Sequence, residues 1–412
     1  MVFPTTNILF LCFLLIYQSI GQLNGVARRP PMGWIASDHF GCNTNGLTDA
    51  NKRIGTKLIE NTIEGLSRTG LREAGYRYVV LDACWASANR DSKTGMLQMD
   101  PDRFSTTPLQ LGQLVRQKGL KFGLGFVADC QSRENAIKDT LSAFQWDLDY
   151  YLLHGCSTIG DWGISANAEE MNKIGKLIPI ACNGFGETDL LDTGNQHYWS
   201  TVIKNCHIWQ MKPGVTRTET DILKVVEYLK TNHQIIASTI GPHGWFDLGP
   251  LQIGHRQMSL AKQRIQFALW CLFASPLFVS IDFEVAAEDE IQLLKNPRLI
   301  SINQDVGGRP PLFVGEALAG VQLWSRELLE QNNTWAIAVI NSNLEGKHVD
   351  LEFYKMGPRK EANFGTKFIL TDVFSGEESE PQSLWSVKSV LVLGRSVVMY
   401  HVRPQTCCCE VT

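Results

Sequence analysis

Five aspartates, Asp82, Asp129, Asp149, Asp192 and Asp247, stand near the ends of apolar, strand-like runs. Two carboxylates facing each other from such ends could carry nucleophilic or acid–base chemistry. A single buried aspartate accepting backbone N–H groups from a neighbouring loop reads the same way, and Asp247 beside a Gly-Pro-rich loop reads equally as turn chemistry. His154 closes the run YYLLH and could be a base or a metal ligand. A lone histidine with no His or Cys at ligand spacing is ordinarily a hydrogen-bonded core residue. No Gly-rich phosphate loop and no His/Cys ligand pattern is present, so neither a nucleotide nor a metal cofactor is expected.

Sulfur chemistry is the other possibility. Residues 8–17 (ILFLCFLLIY) are too short for a membrane helix, and small or polar residues follow. They read as a signal peptide spanning residues 1–24, although no Lys or Arg precedes the run, and an uncleaved interfacial anchor is the alternative. Cleavage removes Cys12 and routes ten cysteines through an oxidising compartment, where thiols pair. Asn332-Asn333-Thr334 is a glycosylation sequon. Cys271 sits on an apolar helix face and reads as a core residue. For Cys407, Cys408 and Cys409 an intermolecular bridge and a frayed tail are both open.

The elements that position these residues follow from hydrophobic period. Between Met32 and Ile281, β-branched or aromatic runs alternate with stretches of helical period. Eight strands are expected at 32–37, 76–85, 120–129, 146–155, 177–184, 205–211, 233–241 and 276–282. Eight βα units in about 250 residues fit a (β/α)8 TIM barrel of the α/β class. After Gln304-Asp305 the pattern changes to short alternating strands, among them 321–327, 335–342, 367–374 and 386–393, which predicts a C-terminal antiparallel β-sandwich. The boundary falls in Gly307-Gly308-Arg309-Pro310-Pro311, giving a barrel over 25–308 and a sandwich over 309–412. Cys42, Cys84, Cys130, Cys156, Cys182 and Cys206 lie at or near strand ends. Barrel order favours 42 with 84, 130 with 156 and 182 with 206, while free buried thiols are the alternative.

The 412 residues are 44% hydrophobic and 19% charged, with a formal net charge of -4. That composition excludes intrinsic disorder, and without a dense Lys/Arg block nucleic acid is not an expected partner. Past the leader no apolar run reaches the length that spans a bilayer, so no membrane association is expected after cleavage.

Several stretches together resemble the α-galactosidase and α-N-acetylgalactosaminidase family, glycoside hydrolase family 27. They are PPMGW (30–34) with Cys42, LDACW (81–85), GLKFG (119–123), HGCST (154–158), CHIW (206–209), GPHGW (241–245), FASPLFVSID (273–282) and INQD (302–305). The resemblance implies the barrel followed by the sandwich, supports the three disulfide pairings, and implies retaining hydrolysis by two carboxylates about 5–5.5 Å apart. It places the nucleophilic aspartate immediately before the Gly155-Cys156 pair, where this sequence has His154. It places the acid/base aspartate a few residues after Trp209, where the matching residue is Gly214. Sugar-contact positions are altered too: Ser37, Ala83, Gly125, Leu152, Asn183 and Gln210 stand where the family carries an aromatic, an acid, a tyrosine, a lysine, an acid and an arginine. Asp82, Trp34 and Asp247 remain as substrate-binding candidates.

The expectation is a secreted or lysosomal protein of this fold that has lost hydrolysis and acts by binding a glycan, a glycoprotein or a protein partner. The alternative is an active glycosidase with a rearranged pair, Asp82 with Asp247 or Asp129. A regulatory subunit paired with an active paralogue is a third possibility, and a homodimer or such a heterodimer is the expected assembly.

Overall fold

The structure is a computed structural model that describes residues 25–42, 52–127, 132–155, 162–175, 177–183, 196–210, 219–242, 244–254, 258–329, 334–356 and 366–405. The leader, Asp129, Cys130, Cys156, Asp192, Gly214, Asn332 and Cys407 to Cys409 lie outside these residues. The chain forms two compact units. The first comprises residues 1–216, 243–256 and 276–295, and the second 217–242, 257–275 and 296–412.

The first unit contains eight strands: β1 Met32–Ile35, β2 Tyr78–Leu81, β3 Lys121–Val127, β4 Tyr150–His154, β5 Ile180–Asn183, β6 Ile208–Gln210, β7 Trp245–Asp247 and β8 Leu277–Val279. They pair in parallel in the order β7-β6-β5-β4-β3-β2-β1-β8. Leu251 closes the ring, bridging Val279 in parallel and donating its N–H to Phe278 O at 2.7 Å. No parallel edge is left open, which is why runs such as YVVL and YYLL can be apolar on both faces.

Ring contacts identify the inner face. Tyr78 on β2, Tyr150 on β4 and Phe278 on β8 lie with centroids 5.4 to 6.4 Å apart. These strands are not neighbours, so the rings can meet only inside the barrel. Small residues make room for them: a Cβ on Gly33 would collide with Tyr78, and one on Gly123 would press on Tyr150. Because side chains alternate along a strand, the residues two and four positions beyond Tyr78 and Tyr150 also face inward, which carries Asp82 and His154 to the C-terminal mouth.

One expected strand is corrected. Residues 233–241 belong mostly to the Glu219–Thr239 helix, and the seventh strand is Trp245–Asp247. The β-branched cluster at Ile235, Ile236 and Thr239 suggested a strand. The buried positions, however, are Ile222, Val225, Val226, Leu229, Asn232, Ile236 and Thr239. Their spacing is helical, and that period outweighs local β-propensity.

The second unit combines this helix with the Leu260–Leu272 and Pro297–Asn303 helices and two antiparallel sheets. Its strands are β9 Leu312–Leu318, β10 Val321–Leu328, β11 Thr334–Asn341, β12 Lys347–Glu352, β13 Lys367–Asp372, β14 Gln382–Ser383, β15 Val387–Val392 and β16 Ser396–Pro404. One sheet has the order β14-β13-β16-β11-β10-β9, and β12 pairs with β15 in the other. Val321, Ile337, Val339 and Phe368 of the larger sheet share one apolar core with Val349, Leu351, Val390 and Val392 of the smaller, as in a sandwich. Arg326, almost wholly buried, ties helices to this sheet. Its guanidinium donates to Cys271 O, Leu272 O and Ile302 O, carbonyls at the C-terminal ends of two helices, and to Arg309 O. A buried cation there meets the negative ends of both helix dipoles. Among the described residues no helix is long and apolar enough to cross a membrane.

Candidate functional site

The barrel's C-terminal mouth gathers Asp82 beyond β2, Gly125 on β3, His154 and Asn183 ending β4 and β5, and Gln210 and Asp247 ending β6 and β7. Register places His154 beside Asn183 and Gln210 beside Asp247.

Asp82 is buried, and both of its carboxylate oxygens are engaged by one residue. Ser37 N–H donates to Oδ1 at 2.8 Å, and the Ser37 hydroxyl donates to Oδ2. Ser37 opens a helical turn, Ser37–Phe40, whose first N–H groups have no partner within the turn. The carboxylate thus holds the start of that turn. Its other side is fixed by Ser280 Oγ, which accepts from His39 N–H at 2.8 Å, and by Gln252 Nε2, which donates to Asp38 at 2.7 Å. The turn is pinned by Asp82 and by residues near β7 and β8 together.

His154 reaches across β3. Its Nε2 lies 2.9 Å from the backbone carbonyl of Asp82. A carbonyl only accepts, so Nε2 carries the proton and donates. Gly125 lies between the two strands concerned. A Cβ at this position would collide with the Asp82 backbone, so only glycine leaves the β2 end where it is and the space above β3 open to the imidazole. Three positions that the sequence marks as altered therefore meet at Asp82: 37 and 154 hydrogen-bond to it, and 125 leaves room for its backbone.

Asp247 is also buried. Gly249 N–H donates to its Oδ1 at 2.8 Å, yet burial outweighs that bond and pushes the carboxyl up to about 6. Its charge in turn adds to the effect of burial in driving the Tyr150 phenol far above its ordinary value. Among the described residues Asn183 Oδ1 has no hydrogen-bond partner, although it is buried. Trp34 alternates with inward-facing Gly33 and lies on the other face of β1, fully buried, with its indole N–H donating to Ile281 O at 3.1 Å. The structure therefore brings Asp82, His154 and Asp247 to one mouth and leaves Trp34 behind it. Asp149 is elsewhere, accepting from Arg116 and from Phe122 N–H near the start of β4. Among the described residues no group of three or more His, Cys, Asp or Glu could hold a metal ion.

Cys42 is bonded to Cys84 and Cys182 to Cys206, with Cα atoms 5.3 and 6.1 Å apart. These are two of the three expected pairs, and the third lies outside the described residues. Cys84, two residues past Asp82, has a φ of 60°, so the bond to Cys42 anchors a left-handed turn beside the mouth. Cys271 is a free, buried thiol.

Sequence reasoning passed over Ser280 and Gln252 and saw no link between Ser37 and Asp82. Bonds between residues 45 or more positions apart leave no spacing signal.

The family model described as alpha galactosidase A (Melibiase_2) matches residues 29–305. The chain is 30% identical to human alpha-galactosidase A over 335 residues, covering 77% of this chain and 75% of that protein. It is 26% identical to the alpha-N-acetylgalactosaminidase of Gallus gallus over 397 residues, covering 93% and 95%. Among solved structures, alpha-galactosidase I from Mortierella vinacea superposes with a TM-score of 0.78 at 19% identity, covering 92% of this chain and 98% of that one, a likeness of fold. Closed barrel, sandwich and matched sequence agree: the chain belongs to the alpha galactosidase A (Melibiase_2) family, within glycoside hydrolase family 27.

Proposed function

We propose that this chain is a family 27 protein that no longer hydrolyses glycosides and acts by binding, in the secretory pathway or outside the cell, with a glycan or a protein as ligand. The observation that carries the reading is the end of β4. An imidazole stands where retaining hydrolysis would need a carboxylate to attack the anomeric carbon, and its Nε2–H is committed to the Asp82 carbonyl. A neutral imidazole is a poor substitute there, and a cationic one would repel an oxocarbenium-like centre. Ser37 donates to both oxygens of Asp82, one of the two acids that remain from the sugar-contact set. The sequence adds Gly214 at the acid/base position, and a glycine carries no proton. Two disulfides support passage through an oxidising compartment.

A second reading is favoured by Asp247. A buried carboxyl pushed up to about 6 has the environment of a general acid, and with Asp82 it would make a rearranged pair. Assay of the purified protein on aryl α-galactoside and aryl α-N-acetylgalactosaminide from pH 4 to 7 separates the two. The proposal expects no turnover above a boiled control, and turnover above that control overturns it.

A further inference from the structure

We propose that a cleft between the Thr56–Arg68 helix and the segment after β8 binds a small organic cation, a protonated amine on a short aliphatic chain. The inference concerns a place on the barrel other than its mouth and holds whether or not the chain hydrolyses glycosides. Every residue lining the cleft belongs to the first unit.

Asp282 is the inner acid of the cleft and is only 8% exposed. Among the described residues the one donor to its carboxylate is Glu284 N–H, 3.0 Å from Oδ1, which leaves Oδ2 with none. A buried carboxylate in that state is costly until a cation or further donors meet it. Two more acids, Glu64 on the helix and Glu284 after β8, line the cleft from exposed positions, and neither has an ion pair among the described residues. Arg68 stands one helical turn beyond Glu64, the spacing at which such residues pair. Its guanidinium donates instead to Phe283 O at 3.1 Å. Three carboxylates thus share the cleft with one guanidinium that is already engaged, and a cleft with an excess of one sign focuses the field that draws in the other.

Size and walls select the cation. The cleft measures about 170 Å³, above the roughly 150 Å³ that admits a benzene ring, so it takes a ligand of about six to eight heavy atoms. Leu58 and Ile281, both buried, and Phe40 offer apolar surface to a carbon chain. Among the described residues no three acids converge as the ligands of one metal ion do, so a bare ion is a poor fit. An alkylammonium sets its charge at Asp282 and its methylenes on the apolar walls. In a short diamine the second ammonium reaches the exposed acids at the rim.

Isothermal titration of the full-length protein at low ionic strength tests this, with 1,4-diaminobutane, n-butylamine, n-butanol and calcium chloride as probes. The diamine should bind with a dissociation constant below about 1 mM. Butanol, of the same size as butylamine but uncharged, should bind at least about tenfold more weakly than the amine. Asp282→Asn keeps an acceptor for Glu284 N–H and should weaken diamine binding about tenfold or more. Glu64→Lys, at an exposed helix position, should weaken it similarly with an unchanged melting temperature, which keeps the test decisive if Asp282→Asn folds poorly. Absence of diamine binding, butanol binding as tightly as butylamine, an affinity unchanged in Glu64→Lys, or displacement of the diamine by an equal concentration of calcium would each overturn the proposal.

Discussion

At the scale of single residues, the mouth of the barrel is held by bonds that converge on Asp82. Ser37→Ala removes a hydroxyl bound to a buried carboxylate and should cost about 2 kcal/mol, and His154→Ala about 1 kcal/mol, in urea unfolding. No loss in either variant would mean that these bonds do not hold the mouth. Asp247 makes a claim about pH. Its carboxyl rises from 3.8 to about 6 on folding, so the folded state favours the proton. That contribution is complete below pH 3.8 and is lost as pH rises through 6, which leaves a cost of about 3 kcal/mol at pH 7.5. Asp247→Asn should therefore raise the melting temperature at pH 7.5 and raise it only about a third as much at pH 4.5, and equal shifts at both values would refute the assignment. The sequence already allowed Asp82 to be a buried acceptor of backbone N–H groups, and it is one. Its donor was not legible, because Ser37 reads only as a missing aromatic until the fold brings it to Asp82.

At the scale of elements, hydrophobic period carried most of the barrel. YVVL, FGLGFV and YYLL read as buried strands because closure removes the need for a polar face. The seventh strand failed for a local reason. Trp245–Asp247 is three residues long, too short to show a period, while the adjacent β-branched cluster imitates a strand inside a 21-residue helix. Arg326 was equally hidden, since a charged residue in VQLWSRE reads as solvent-facing. In the structure its guanidinium serves two helix ends, and although burial lowers its pKa to about 10 it stays charged at neutral pH. Arg326→Met should cost more than about 3 kcal/mol by leaving buried carbonyls without donors, and Arg326→Lys should cost less. Equal losses in thermal unfolding would show that the fork of donors, and not the charge, is what the helix ends require.

At the scale of the whole molecule, the chain has the family 27 fold, and at the mouth of its barrel Ser37 and His154 both bond to Asp82. The glycines that admit Tyr78 and Tyr150 to the barrel interior, two cysteine pairs and the shared sandwich core all preserve stability. At the mouth, the Asp82 carboxylate supports the Ser37–Phe40 turn. Fold and activity are separable properties, so the family fold does not by itself carry the family's hydrolysis into this chain. The most direct test is prolonged hydrolysis of aryl α-galactoside at pH 5 by the wild type beside Asp82→Asn and Asp247→Asn. The account predicts that all three are indistinguishable from boiled protein, whereas turnover by the wild type that either substitution abolishes would show a working carboxylate pair and contradict it.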